Sequence, residues 1–232
     1  MTLREVILDT ETTGLDPSQG HRVVEIGALE MINHLPSGRT FHVYINPERE
    51  MPAEAEAIHG LSTNFLRDKP LFSNVAGDFL AFISDSAIII HNAAFDVGFL
   101  NAELALTGKG PLIADRIIDT LHLARQKHPM GPNSLDALCK RYAVDNSKRT
   151  KHGALLDSEL LAEVYIELIG GRQTALSLAS SEQKLKTAFT GNTSTVPRPR
   201  PLAERLSDAE RDAHARLVEE LGEQAVWSQL RG

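Results

Sequence analysis

A single cysteine, Cys139, in 232 residues leaves no partner for an intrachain disulfide and no thiolate set for a zinc ion. It lies inside the helical pattern Leu135 to Tyr142, where packing is its expected role. Long apolar runs are missing as well. No segment approaches the roughly twenty consecutive apolar residues of a membrane span, and the N-terminus runs into the acidic Glu5 and Asp9 with no apolar signal region. The expectation is a cytoplasmic protein with no membrane association. Positive charge is also in short supply, since 24 Lys and Arg face 31 Asp and Glu and leave a net charge of −7. That excludes broad adhesion to nucleic acid, which is driven by phosphate neutralisation and counterion release. Any polynucleotide contact must be local or metal-assisted. Internal repeats are absent, and 42% apolar content suffices for the core of one good-sized domain plus an appendage.

Against this background the most informative stretch is Asp9-Thr10-Glu11, two carboxylates at the end of the apolar run Val6-Ile7-Leu8. That run suits a buried central strand, ended by the turn-forming Thr12-Thr13-Gly14-Leu15-Asp16-Pro17. Side chains alternate along a strand, so Asp9 and Glu11 share a face. Two like charges there either share a proton or are neutralised by hard divalent ions. A helix-capping box is the plainer explanation of acids at this spacing, but no helical run follows.

Strand-like runs are expected at Val6–Asp9, Val23–Ile32, Thr40–Ile45 and Ala87–His91, with a short one at Ile117–Asp119. Pro36-Ser37-Gly38 is expected to turn the second into the third, which makes the first three an antiparallel meander. Helical patterns occupy Ala53–His59, Leu71–Ile83, Phe95–Leu106, Ser134–Tyr142 and Ala154–Ile169. Together they describe a mixed α/β domain over residues 1–172. Composition then shifts: 173–205 is a linker ending in a Pro-Arg-Pro-Arg-Pro run, and 206–232 carries Leu206, Ala209, Ala213, Leu217 and Leu221 at helical spacing before Trp227, the chain's only tryptophan. Such a helix either docks on a partner or folds back on its own domain, and Gly222 interrupts it.

Two further carboxylates face apolar surroundings. Asp157 has Leu160, Leu161, Val164 and Tyr165 at three, four, seven and eight positions onward, so it lies on an apolar helix face where an ion needs compensation. A cation does this; so does a buried arginine. Asp96 repeats the arrangement with Phe99, Leu100 and Leu104, although Asn92 as a helix cap and the helix dipole would also explain His91-Asn92-Ala93-Ala94-Phe95-Asp96. His152, five residues before Asp157 behind Lys148-Arg149-Thr150-Lys151, is either a solvated loop residue or a general base brought to the acids.

Taken in order, these motifs resemble the DEDDh exonucleases, the DnaQ-like branch of the ribonuclease H-like fold, from Leu8 to about Ile169. Leu-Asp-Thr-Glu-Thr-Thr-Gly resembles the first motif, His-Asn-Ala-Ala-Phe-Asp the second, and His152 with Asp157 the third. The resemblance implies a mixed sheet flanked by helices with a flexible C-terminal tail. It implies that Asp9, Glu11, Asp96 and Asp157 hold two divalent ions, Mg2+ or Mn2+, and that His152 activates the water for phosphodiester cleavage. Pro52-Ala53-Glu54-Ala55-Glu56-Ala57-Ile58-His59-Gly60 is similar to the segment that lines the terminal nucleotide, with Glu54 and His59 as substrate contacts beside Thr12 and Asn92. An ordinary helix capped by Gly60 is compatible with that role. Phe95 is expected to pack beneath the site.

Within the group the likeness runs to members that proofread DNA for a bacterial replicative polymerase, because of the tail. Gln173-Thr174-Ala175-Leu176-Ser177-Leu178 resembles a sliding-clamp-binding motif, and the 206–232 segment resembles a tether to the polymerase catalytic (alpha) subunit. The implied activity is 3′→5′ removal of mismatched nucleotides from DNA primer ends. RNA trimming and a non-catalytic adaptor of the same fold are the alternatives, the latter disfavoured by the presence of every catalytic residue type.

Overall fold

The computed structural model describes residues 2–147, 149, 151–170 and 207–221. β1 (Arg4–Thr12), β2 (Val23–Ile32) and β3 (Leu35–Tyr44) form the expected antiparallel meander. β4 (Ala87–Ile90) and β5 (Ile117–Asp119) add in parallel on the far side of β1, so the sheet runs β3-β2-β1-β4-β5. The apolar run of β1 is central, as a strand buried on both faces requires. Its ladder continues past the run to Thr12, which carries the acidic pair inside the sheet: Asp9 lies opposite Gly27 and Glu11 opposite Glu25.

The turn between β2 and β3 is not where the sequence places it. Pro36-Ser37-Gly38 belongs to β3, and the chain reverses at Asn33-His34, whose φ values of 52° and 64° are both left-handed. Consecutive left-handed residues give the hairpin turn that matches strand twist. Pro36 is tolerated because β3 is an edge strand and the ladder is already irregular between Leu29 and Met31.

Helices cover both faces. α1 (Ala53–His59), α2 (Thr63–Leu66), α3 (Phe72–Ile83) and α4 (Ala93–Leu106) precede α5 (Thr120–Lys127), α6 (Leu135–Tyr142) and α7 (Ala154–Leu168). α3 and α4 bring Phe72, Phe79 and Phe99 onto Val6, Leu8, Ile26, Ile88 and Ile90. On the opposite face α7 lays Leu161 and Tyr165 on Ile7, Leu29, Met31 and Ile89. Each such fully buried side chain stabilises the fold by roughly 1.5–3 kcal/mol relative to exposure. Cys139 is fully buried against α7, and burial pushes its thiol up to about 11, consistent with a packing role.

The sequence pattern omits α2 and α5. In α5 only Thr120 and Ala124 are buried, too thin a stripe to register as periodic. Its start is set instead by Asp119, whose carboxylate accepts the Leu121 N–H at 2.8 Å.

The chain divides into two compact units, Met1–Ala175 and Leu176–Gly232. In the second, α8 (Asp208–Leu221) begins with a reciprocal cap: Ser207 Oγ accepts the Glu210 N–H, and the Glu210 carboxylate accepts from Ser207 N–H and Oγ. Leu217 and Leu221 are exposed. The linker 173–205 with Gln173–Leu178, and the segment from Gly222 through Trp227, lie outside the described residues.

Candidate active site

β1 and β4 run parallel, and the acids gather where both strands end, the edge at which open α/β sheets bind ligands. Asp9 and Glu11 lie on the α7 face of β1. Asp157 joins them from the first turn of α7 because that helix approaches the sheet directly over Gly27, the cross-strand neighbour of Asp9. A Cβ on Gly27 would sit 2.1 Å from Leu155 N and 2.2 Å from Ala154 C, so only glycine permits the approach. Ser158 Oγ then donates to Gly27 O at 2.9 Å and pins the helix there.

Asp96 arrives from the first turn of α4. Its Oδ1 accepts the Thr10 N–H at 3.0 Å and the Thr10 Oγ1 hydroxyl at 2.6 Å, which locks the carboxylate against β1. The capping explanation of this segment does not hold. Asn92 takes a left-handed φ of 63° with no side-chain cap, and its N–H donates to Asp119 Oδ1.

Crowding the acids together has a cost that shows in their protonation. Burial first, then repulsion from Asp157, Glu25 and Asp96, raises Glu11 to about 8. Burial raises Asp96 to about 7 despite the Thr10 hydrogen bonds, and burial with the charges of Asp96, Glu11 and Asp157 holds Asp9 well above the usual carboxylate range. A site that holds its protons this tightly gains by taking up cations. Asp157 already has one: the buried Arg149 donates Nε to Oδ1 at 2.6 Å and Nη2 to Oδ2 at 2.7 Å. The arginine considered as a structural alternative for Asp157 is therefore present. Its Nη1 reaches Asp136 at 2.6 Å, and Nη2 lies 2.8 Å from His152 Nδ1.

His152 is half-exposed, with Nδ1 3.3 Å from Asp157 Oδ2, and its backbone N–H donates to Ile58 O of α1 at 3.2 Å. The loop is thus fastened beside the acids. Among the described residues, Glu11, His152 and Asp157 are the group whose ligand atoms, one from each residue, fall within 4.8 Å of one another. Carboxylate oxygens with one imidazole suit a hard or borderline divalent ion, so the donor set fits. Asp9 and Asp96 line the same cavity of ≈ 620 Å³ but fall outside that closest set. Asn92 lines this cavity too.

A second cavity of ≈ 490 Å³ shares Thr10, Glu11 and Phe95 with the first, and is lined by Thr12, Leu15, Glu54, Ile58 and His59. His59 Nδ1 accepts the Leu61 N–H, so the neutral ring carries its proton on Nε2, a buried donor that makes no well-formed hydrogen bond among the described residues although the Thr12 backbone lies near the ring. Burial lowers its pKa and keeps it neutral. Gly60, at φ 79°, ends α1 as a C-cap. Phe95 packs against Phe99 with ring centroids 5.0 Å apart and the rings tilted by 49°, and it lines both cavities.

The exonuclease family matches residues 6–165, more than two thirds of the chain.

The chain belongs to this exonuclease family.

It is 58% identical over 197 residues to DNA polymerase III subunit epsilon of Rickettsia felis, covering 84% of each chain. To the subunit of the same name from Salmonella typhimurium it is 41% identical over 239 residues, covering 97% of each, and to that of Escherichia coli 46% over 183 residues, covering 76% of this chain and 75% of the other. Exonuclease X in complex with 5′ overhanging duplex DNA superposes with a TM-score of 0.56 at 26% identity, over 72% of this chain and 92% of that one. The nuclease domain of 3′hExo, a DEDDh family member bound to rAMP, shares the fold with a TM-score of 0.63 at 18% identity, over 72% and 91%.

Sequence reasoning assembled the acids of this exonuclease but missed what positions them. Gly27, Ser158 and Thr10 act through contacts between distant segments that carry no local pattern. Arg149 stood in the basic run ahead of His152, where its charge was visible and its partner was not.

Proposed function

We propose that the chain is the 3′→5′ proofreading exonuclease of a replicative DNA polymerase in the cytoplasm, hydrolysing mismatched nucleotides from primer ends and releasing nucleoside monophosphates. The observation that carries this is the convergence of Asp9, Glu11, Asp96, Asp157 and His152 on one cavity with a second, more apolar cavity adjoining it.

Asp9, Glu11 and Asp157 are the residues that would hold two Mg2+ or Mn2+ ions, with Asp96 completing the set through its oxygen not engaged by Thr10. Bound there, the ions would stabilise charge on the attacking and leaving oxygens and offset repulsion between the acidic site and the phosphate. His152, on its fastened loop, takes the proton from the attacking water, a role that requires a free ring nitrogen. Thr12, Glu54 and His59 seat the terminal nucleoside in the apolar cavity, where the His59 Nε2–H supplies a donor awaiting an oxygen. Asn92 contacts the strand from the polar cavity. A mismatched end enters because it melts more readily than a paired one.

The tail supplies the partners: the polymerase catalytic (alpha) subunit on 206–232, and the sliding clamp on Gln173–Leu178. Identity to the epsilon subunits supports association with the polymerase, and the clamp role rests on the motif at Gln173–Leu178. The test is digestion of a 3′-mismatched DNA primer with magnesium, against matched DNA and RNA controls. Rapid removal of the mismatch, abolished by Asp9→Ala, is expected; full activity of that variant, or preference for RNA, would overturn the proposal. Pull-downs with the clamp and the polymerase subunit, using chains truncated after residue 205 or after residue 172, separate the two docking roles.

A further inference from the structure

Arg125 sits in the last turn of α5 and lines the same cavity as the acids. The other arginine lining that cavity, Arg149, is committed to Asp157 and Asp136. Arg125 makes no hydrogen bond and no ion pair among the described residues. Its platform is rigid. Thr120 Oγ1 donates to Ile90 O, Ala124 is fully buried, and Lys127 Nζ donates to Glu167 O and Leu168 O at the end of α7. An uncommitted guanidinium held on a fixed helix in a cavity with five carboxylates is placed to receive an anion.

The layout says which anion. Glu11 stands at the junction of the two cavities, since with Thr10 and Phe95 it lines both, and Asp9, Asp96 and Asp157 stand on the polar side of it. With the terminal nucleoside in the apolar cavity and its 5′-phosphate at the acids, the remainder of the strand leaves through the polar cavity, past Arg125. The next phosphodiester on the 5′ side is then the first strand charge without a counter-cation. We propose that Arg125 binds this phosphodiester, the second from the 3′ end, and so anchors the strand whose terminal bond is cut. The inference rests on the exonuclease reading of the site. Arg125 touches no reacting atom; it binds and positions.

Arg125→Gln and Arg125→Lys would be compared with the parent chain on a single-stranded oligonucleotide and on the p-nitrophenyl ester of thymidine 5′-monophosphate, which has no second phosphodiester. Loss of one charge-assisted contact should raise KM for the oligonucleotide about tenfold in Arg125→Gln with kcat little changed. Arg125→Lys should recover part of the loss, and hydrolysis of the ester should be unaltered. An uncharged methylphosphonate at the second linkage should cost the parent a similar factor and cost Arg125→Gln nothing further. Equal losses on ester and oligonucleotide would mean that the substitution disturbs the site, and a methylphosphonate penalty equal in both proteins would mean that another residue holds that linkage; either overturns the proposal. A parent chain that cleaves neither substrate would instead overturn the exonuclease reading.

Discussion

Arg149 grips Asp157 through two parallel hydrogen bonds, and the same guanidinium reaches His152 Nδ1. A guanidinium only donates, so the contact occupies the lone pair of that ring nitrogen. While it lasts, Asp157 is neutralised and the imidazole is tied up. Divalent ions at the proposed site would compete with this arginine, which has Asp136 as a second anchor. Arg149→Met is expected to lower stability in chelator by about 3–5 kcal/mol, since it strands a buried carboxylate. That corresponds to a fall in melting temperature on the order of 10 °C. Added magnesium should restore most of it, giving a larger metal-induced shift than in the parent. Melting curves with and without chelator decide; equal shifts in both proteins would mean that arginine and metal do not compete.

Metal-free stability should fall with rising pH. Asp9, Glu11 and Asp96 hold protons more tightly when folded than the roughly pH 4 typical of unfolded carboxylates. The folded state therefore binds protons that the unfolded chain has released, and stability declines from about pH 4 through the titration of Asp96 near 7 and Glu11 near 8. On the proposed reading magnesium would bind the deprotonated acids, so its stabilising effect should grow over the same range. A melting temperature in chelator that is flat between about pH 5 and 8 would contradict the assignment.

Thr10→Val removes the 2.6 Å hydroxyl contact to Asp96 and leaves the backbone N–H in place. Asp96 should then hold its proton more tightly, because a hydrogen bond that favours its charged form is gone. The expected result is a stability loss of about 1–2 kcal/mol and an acidic limb of the pH–rate profile moved to higher pH. An unshifted limb with reduced rate at every pH would point to displacement of the strand instead.

Gly27→Ala should separate folding from site assembly. Its Cβ would collide with the backbone of Ala154 and Leu155, so α7 must shift outward at its N-terminal end. A stable fold with activity reduced at least about a hundredfold is expected, because displacements of about an ångström at a reacting centre have that effect. Circular dichroism and primer digestion measure the two; unchanged activity would show that α7 has room to adjust.

Much of the site was legible because ionisable residues in apolar patterns are conspicuous: Asp157 among leucines and Asp96 ahead of Phe99 stand out without any structure. The strand runs of β2 and β5 and the helix α1 coincide with their hydrophobic patterns. The β2–β3 turn was misplaced because Pro-Ser-Gly is strong turn chemistry, whereas Asn33-His34 reverses the chain through left-handed backbone that His rarely signals. α5 escaped because an Asp cap and two buried residues suffice to build a helix that its neighbours hold. Arg149 and Gly27 escaped for a different reason: a partner eight residues ahead around a loop, or another element's backbone passing overhead, leaves no periodic trace.

The contact between Ser158 and Gly27 spans 131 residues, and it makes the closing step of the fold also the arming step. A chain still emerging from the ribosome carries Asp9, Glu11 and Asp96 early. It lacks Asp157 and His152 until α7 has been synthesised and can settle on Gly27. On the proposed site a nascent chain lacks two of the five residues that act on a phosphodiester until α7 has been made, so competence would begin only once the domain is complete.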